Sequence, residues 1–341
     1  MSTDIPGLDR SELLRWLGVA AAGVAIPDGS QAADFLRPHP RWRFVFVNHA
    51  TTNPFFVPTR YGIEDACALF GVSYQWTGST RSNVGEMLAA MRRAIRARVD
   101  GIAVSVIDPR AFNRPTAEAL RLGIPVVSYN ADGARANRRL SYVGQDLYQS
   151  GLKFGSRVAE LVGEGDVFVF IATPGQLNIQ PRVDGALDAI RDSGKPIRTR
   201  VVATGPDVRR EQARIEATYR EHRKLRGMFA VDGGSTQGVA EVMRKYGLHK
   251  RGVRAGGYDL LPKTLRAIAD RHVDFTIDQQ PYLQGFLPIL QLFLEKYSGG
   301  LVAPADTNTG LHFVTRQNVR PYLTTRTRYE GSSSQWKYPV S

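Results

Sequence analysis

Cysteine is almost missing from this sequence: Cys67 stands alone among 341 residues. No intrachain disulfide can form, so the fold cannot depend on one. Cys67 lies between Ala66 and Ala68 in a helical pattern, which suits a small buried hydrophobe. Long apolar runs are missing after residue 40. A membrane-spanning helix needs about 20 consecutive apolar residues, so none is expected there. The six histidines, at 39, 49, 222, 249, 272 and 312, are isolated. None forms H-x-x-x-H or H-E-x-x-H, and no metal site is expected. No Walker loop occurs. "GEGD" at 163–166 precedes a strand instead of joining strand to helix, so it fails as a dinucleotide turn.

"VDGGSTQG" at 231–238 does run from strand into helix. It reads as a helix start with Ser235 as the N-cap, and an anion nest built on Gly233 and Gly234 is the alternative. Gln237 stands where a nucleophile elbow needs its last glycine. Loop carboxylates leave a glycosidase pair open, because spacing along the chain does not give their separation. With every strong catalytic and cofactor motif missing, a binding protein without cofactor is expected, not an enzyme.

Negative charge is also in short supply. Asp and Glu number 32 against 45 Lys and Arg, for a net charge of +13. Nucleic acid is the first partner such a charge brings to mind. The arginines are spread along the chain, however. The densest group, "MRRAIRAR" at 91–98, shares a helix with Val84, Met87, Leu88, Met91 and Ile95, which fall on one face. Arg92, Arg93 and Arg96 then fall on the solvated side, and no nucleic-acid partner is expected.

The first 32 residues do not read as part of the fold. "RSELLRWLGVAAAGVAI" is a basic start followed by an Ala/Gly-rich apolar run, and "SQA" at 30–32 suits a cleavage site. The segment is similar to a twin-arginine export signal, with Arg10, Leu13, Leu14 and Arg15 at the expected offsets and Ser11 in place of the second arginine. No cysteine follows the run, so no lipid anchor is expected. The mature chain is expected to begin near Ala33 and to work in the periplasm or elsewhere outside the cytoplasm. An N-terminal amphipathic helix is the alternative.

From residue 44 onward strand and helix alternate. The strands are read at 44–48, 72–77, 101–106, 124–129, 167–171, 197–204, 227–231, 254–258 and 275–278. Short apolar strands alternating with helices mean parallel sheets covered by helices. Roughly ten strands exceed what one compact sheet usually holds, so two doubly wound α/β lobes are expected. The tail, "TRTRYEGSSSQWKYPVS", reads as an irregular extension.

Ligands of open parallel sheets bind beyond the carboxyl ends of the strands. There the sequence places His49, Thr52, Asn53, Phe55 and Phe56, then Ser105 and Asp108, then Asn130 and Asp132. In the second half come Gln176, Asn178 and Arg182, then Asp232, Asp259 and Gln279. Amide and carboxylate oxygens accept from hydroxyls, and Arg and amide N–H groups donate to them. With aromatic rings beside them, these groups suit a neutral polyhydroxy ligand.

Seven segments carry a resemblance: "TTNPFFVPTRYGIEDACALFGV", "DGIAVSVIDPRAF", "GIPVVSYNAD", "YVGQDLYQSG", "GQLNIQPRVDGALDAI", "GGYDLLPKTLRAI" and "TIDQQPYLQGFLPI". In this order, over about residues 43–325, they resemble the sugar-binding periplasmic proteins of ABC importers, of the ribose-binding type. The resemblance implies two doubly wound parallel-sheet lobes joined by a three-strand hinge. One lobe would be 41–145 plus 280–308, the other 146–279 plus 309–325, with 326–341 as a tail. It implies capture of a monosaccharide or polyol between the lobes and delivery to a membrane permease, by a protein expected to be a monomer.

The ligand positions implied by the resemblance are Asn53, Phe55 and Phe56 after the first strand, then Ser105, Asn130, Arg182, Asp232, Asp259 and Gln279. Gln145, near the first hinge crossing, is a further candidate. Asn130 stands where ribose binders carry an aspartate, and Ala131 where they carry an arginine, which argues against ribose itself. Arg182, at a cleft mouth, is expected to contribute to affinity and little to the core. The same fold serves repressors of the lactose type. Those need a helix-turn-helix of roughly 50–60 residues, and the segment before the first strand here is shorter and Ala/Gly-rich. A receptor-coupled or chemotaxis sensor would share all of these features.

Overall fold

A computed structural model describes residues 38–324. The expected export signal (1–32) and tail (326–341) lie outside the described residues. The first half of the chain runs β1 (Arg43–Asn48), α1 (Val57–Phe70), β2 (Ser73–Gly78), α2 (Val84–Arg96), β3 (Gly101–Val104), α3 (Asn113–Arg121), β4 (Val126–Tyr129) and β5 (Ser141–Gly144). Next come α4 (Leu147–Val162), β6 (Gly165–Ile171), α5 (Gln180–Asp192), β7 (Ile197–Ala203), α6 (Val208–Glu221), β8 (Gly227–Ala230), α7 (Gly233–Tyr246), β9 (Arg254–Tyr258), α8 (Pro262–Ala269) and β10 (Phe275–Asp278). The last elements are α9 (Leu283–Tyr297), β11 (Thr307–Asn308), β12 (His312–Thr315) and α10 (Arg320–Thr324).

The strands form two six-stranded sheets, in the orders β11-β5-β4-β3-β1-β2 and β12-β10-β9-β8-β6-β7. Pairing is parallel throughout the first sheet. In the second, β12 runs antiparallel to β10. The reading from sequence misses β5, β11 and β12. They are two to four residues long and hold at most two consecutive apolar residues, too weak a signal to stand out as strands.

Alternation along the strands fills both faces of each sheet. Val167, Val169 and Ile171 of β6 pack with Phe154, Val158 and Val183 from α4 and α5. Phe168 and Phe170 point the other way, to Ile215, Val239 and Leu265 from α6, α7 and α8. In the first sheet Val45 and Val47 face Met87, Met91 and Ile95 of α2. Arg92, Arg93 and Arg96 on the other side of α2 are exposed. Cys67 is buried within α1.

The chain crosses between the sheets after β5, returns after β10 into α9, which packs on α1, and crosses again between β11 and β12. Side chains tie the three crossings together. Gln145 Nε2 donates to the Gly310 carbonyl at 3.0 Å, and Thr309 Oγ1 donates to the Gln279 carbonyl at 2.9 Å.

Candidate functional site

A cavity of about 460 Å³ lies between the carboxyl ends of the two sets of strands. Its wall includes Asn53, Phe55, Phe56, Asn130, Arg182, Asp232, Asp259 and Gln279. Two of the expected contacts, Ser105 and Gln145, stand behind it. Ser105 Oγ is bonded to the His49 ring at 2.8 Å, and His49 itself borders the cavity. Gln145 is 1% exposed and serves the hinge crossing.

The aromatic pair comes from a tight turn between β1 and α1. Asn53 Oδ1 caps this turn by accepting from the Phe55 amide at 2.9 Å, and Pro54 pre-sets its first residue. The turn separates two adjacent phenylalanines into different roles. Phe56 is 2% exposed and packs edge-on against the His49 ring. Phe55 is only partly buried and meets Phe56 at 83°.

Arg182 sits in the first turn of α5, and α4 makes room for it. A Cβ on Gly151 would stand 2.4 Å from the Arg182 carbonyl, so the two helices approach this closely only because residue 151 is glycine. The guanidinium lies 4.2 Å over the Tyr258 ring. Nη1 donates to the Val231 carbonyl at 2.9 Å, and Nη2 to Gln279 Oε1 at 2.9 Å. Gln279 Nε2 in turn donates to Asp259 Oδ1 at 2.7 Å. Nε has no partner in the protein. Arg182 is thus 2% exposed and built into the core of its lobe. This corrects the expectation of an arginine at the cleft mouth with little structural weight.

The network continues into the other lobe. Gln284 Nε2 donates to the Gln279 carbonyl at 3.0 Å, and Gln284 Oε1 accepts from Asn130 Nδ2 at 3.0 Å. Asn130 and Asp259 both hold positive φ, 62° and 75°. Non-glycine residues enter that region at a cost, and such outliers gather at functional sites.

Asp232, not Ser235, is the N-cap of α7. Its Oδ1 accepts from the Ser235 amide at 2.8 Å and its Oδ2 from the Ala172 amide at 2.8 Å. The Ser235 hydroxyl is bonded to Thr204 instead. Gly233 and Gly234 do not form an anion nest; they clear space for carboxylates. A Cβ at 233 would lie 2.7 Å from Asp259 Oδ2, and one at 234 would lie 2.3 Å from Glu211 Oε2. Desolvation raises Asp259 to about 6, with Arg182 opposing the shift. Desolvation lifts Glu211 further, to about 9, and Asp232 adds to it. Burial raises Asp232 too, while its two amide donors hold the shift back.

The wall residues not carried forward from sequence include His49, Asn178, Glu211, Arg81 and Arg209. His49 and Asn178 follow strands, so the strand-end rule reaches them. Glu211 carries no such signal, because it lies inside a helix and comes to the wall through packing on Gly234. Among the described residues no cluster of His, Cys, Asp or Glu could hold a metal ion, and no helix is long and apolar enough to cross a membrane.

Two doubly wound α/β lobes, crossed three times by the chain and enclosing a polar cavity at their strand ends, define the fold of a type I periplasmic binding protein. The chain belongs to this family, matching the periplasmic binding protein domain over residues 44–294. It is 49% identical over 334 residues to the xylose/arabinose-binding protein XylF of Sulfolobus acidocaldarius, covering 94% of this chain and 82% of that protein. It is 24% identical over 275 residues to the D-allose-binding periplasmic protein of Escherichia coli, covering 77% and 87%. A solved ABC-transporter solute-binding protein from Burkholderia graminis, in complex with D-arabinose, superposes with a TM-score of 0.77 at 26% identity, covering 83% of this chain and 98% of that one.

Proposed function

We propose that this protein is an extracytoplasmic solute-binding protein that captures a monosaccharide, a pentose first of all, and hands it unchanged to an ABC-type permease. One observation carries the reading: Arg182, Gln279, Asp259 and Asn130 form one bonded network that lines the cavity and spans both lobes. Such a wall offers donors and acceptors side by side, as a sugar requires. The cavity volume lies within the roughly 300–1,000 Å³ range of small-molecule sites. The Sulfolobus protein is named for xylose and arabinose and the Burkholderia protein is in complex with D-arabinose, which supports pentoses as the ligand class.

The lobes 41–145 plus 280–308 and 146–279 plus 309–325 would act as rigid halves. An open form offers each half of the contacts on a separate lobe, and closure brings the halves together. Ligand then shifts the hinge equilibrium by its higher affinity for the closed form. Calorimetric titration of the purified protein with D-xylose, L-arabinose, D-ribose, D-glucose and myo-inositol tests the reading. Tight one-to-one binding of a pentose is expected, with the sugar recovered chemically unchanged from denatured complex. Binding of none of them, or turnover of any, would overturn it.

A further inference from the structure

Glu211 is 3% exposed and borders the cavity. The start of α6 brings it there: Asp207 caps the helix through the Arg210 amide at 3.0 Å, and Glu211 lies in the first turn. Its carboxyl lies over Gly234, the one residue type that leaves space for it. Oε2 has no hydrogen-bond partner in the protein. Buried polar atoms are nearly always paired, and this one belongs to a residue of the cavity wall. We propose that Glu211 is a ligand contact, and that its carboxyl selects among sugars by hydrogen-bonding one hydroxyl presented over Gly234. This rests on the reading of the cavity as a sugar site.

The electrostatics say which way the proton points. Facing Glu211 are Asp207, the cap of its own helix, and Asp232 and Ser235 at the start of α7, while Asp259 lies against Gly233. Arg81, Arg182 and Arg209 are the guanidinium groups that line the cavity. Burial and Asp232 push Glu211 up to about 9, while the Ser235 hydroxyl opposes this. Near neutrality Glu211 therefore keeps its proton and donates. Asp259 accepts from Gln279 in the network around Arg182, and Asp232 accepts from two backbone amides, so Glu211 gives that wall a donor of opposite polarity. A site built to bond a particular hydroxyl discriminates strongly against an epimer that lacks it, because its own buried group is then left unpaired.

The test titrates wild type, Glu211→Gln and Glu211→Ala with D-xylose and L-arabinose across a range from about pH 7 to 10, with melting curves of the ligand-free proteins. Glutamine is neutral and keeps a donor. Glu211→Gln should bind within about threefold of wild type near neutrality and should lose the weakening that wild type shows as pH passes about 9. Glu211→Ala should bind at least about tenfold more weakly, with a changed xylose-to-arabinose preference. If Glu211→Ala fails to fold, the pH profile of Glu211→Gln decides alone. Equal affinities and preference in wild type and Glu211→Ala, or the same pH profile in wild type and Glu211→Gln, would overturn the inference while the sugar site stands. Failure of wild type to bind any sugar would remove both.

Discussion

Asn178 Nδ2 stands 3.3 Å from His49 Nε2, a contact that joins the loop after β6 in one lobe to the end of β1 in the other. The neighbouring Leu177 amide donates to the Ile107 carbonyl at 3.0 Å, so the two lobes meet there through successive residues. With Nε2 accepting from the amide, Nδ1 carries the proton and donates to Ser105. The ring is neutral, and burial lowers its pKa to about 4 from 6.5.

A depressed folded pKa on a base has a definite sign. Between about pH 6.5 and 4 the unfolded chain binds a proton that the folded protein refuses. The His49 contribution is present in full above this window and is lost as pH falls through it, up to about 3 kcal/mol. Asp259, raised to about 6, acts in the opposite direction from its ordinary 3.8 upward. Comparison with His49→Gln isolates the histidine. Wild type should lose melting temperature relative to the variant as pH falls from about 6.5 to 4.5. A difference that stays constant with pH would show His49 to be solvated.

Arg182→Ala should lose both affinity and stability. It leaves the Val231 carbonyl and Gln279 Oε1 without their donor and removes the cation that holds Asp259 down. Charge-assisted hydrogen bonds are worth roughly 1.5–3 kcal/mol each, so a loss of about 10- to 100-fold or more in affinity is expected. A stability loss of about 2–4 kcal/mol should accompany it. Arg182→Lys should restore only part of either, because an ammonium cannot reproduce the planar fork over Tyr258. Titration and denaturant melts of both variants measure this. Binding by Arg182→Ala within twofold of wild type would place the ligand elsewhere.

Phe55 and Phe56 should separate binding from stability. Phe56, 2% exposed against His49 and Trp76, should cost about 3–5 kcal/mol of stability as Phe56→Ala. Phe55 is partly open to the cavity. Phe55→Ala should cost less stability, at most about 1–2 kcal/mol, and weaken sugar binding instead. Equal melting losses in the two variants would contradict the division.

Gly151→Ala tests whether helix packing positions the site from outside it. The added methyl would sit 2.4 Å from the Arg182 backbone carbonyl, so α4 and α5 must move apart. Overpacking of this kind costs about 1–3 kcal/mol. The shift displaces Arg182 from Gln279, so affinity should fall although residue 151 does not border the cavity. Unchanged affinity in a destabilised Gly151→Ala protein would show that Arg182 is held from the sheet side alone.

The alternation of apolar strands and amphipathic helices was legible in the residue pattern, because period and turn signals are local properties of the chain. Strand-end residues such as Asn53, Asn130, Asp259 and Gln279 could be picked out by the same logic, since parallel sheets place their strand ends together. What lies behind those ends was decided only in three dimensions. Ser105 turned toward His49 because β3 pairs beside β1, and Gln145 toward Gly310 because the crossings meet there; these partners, 56 and 165 residues away, are encoded by no local pattern. The cap of α7 fell to Asp232, whose second oxygen also had an amide to meet, at Ala172. Glu211 reached the cavity by the same kind of event: a carboxyl on an exposed-looking helix found the empty space over a glycine in the next helix. Local chemistry selects which residues can serve a site, but burial and pairing depend on which chain segments come into contact, and that is a property of the packed lobes.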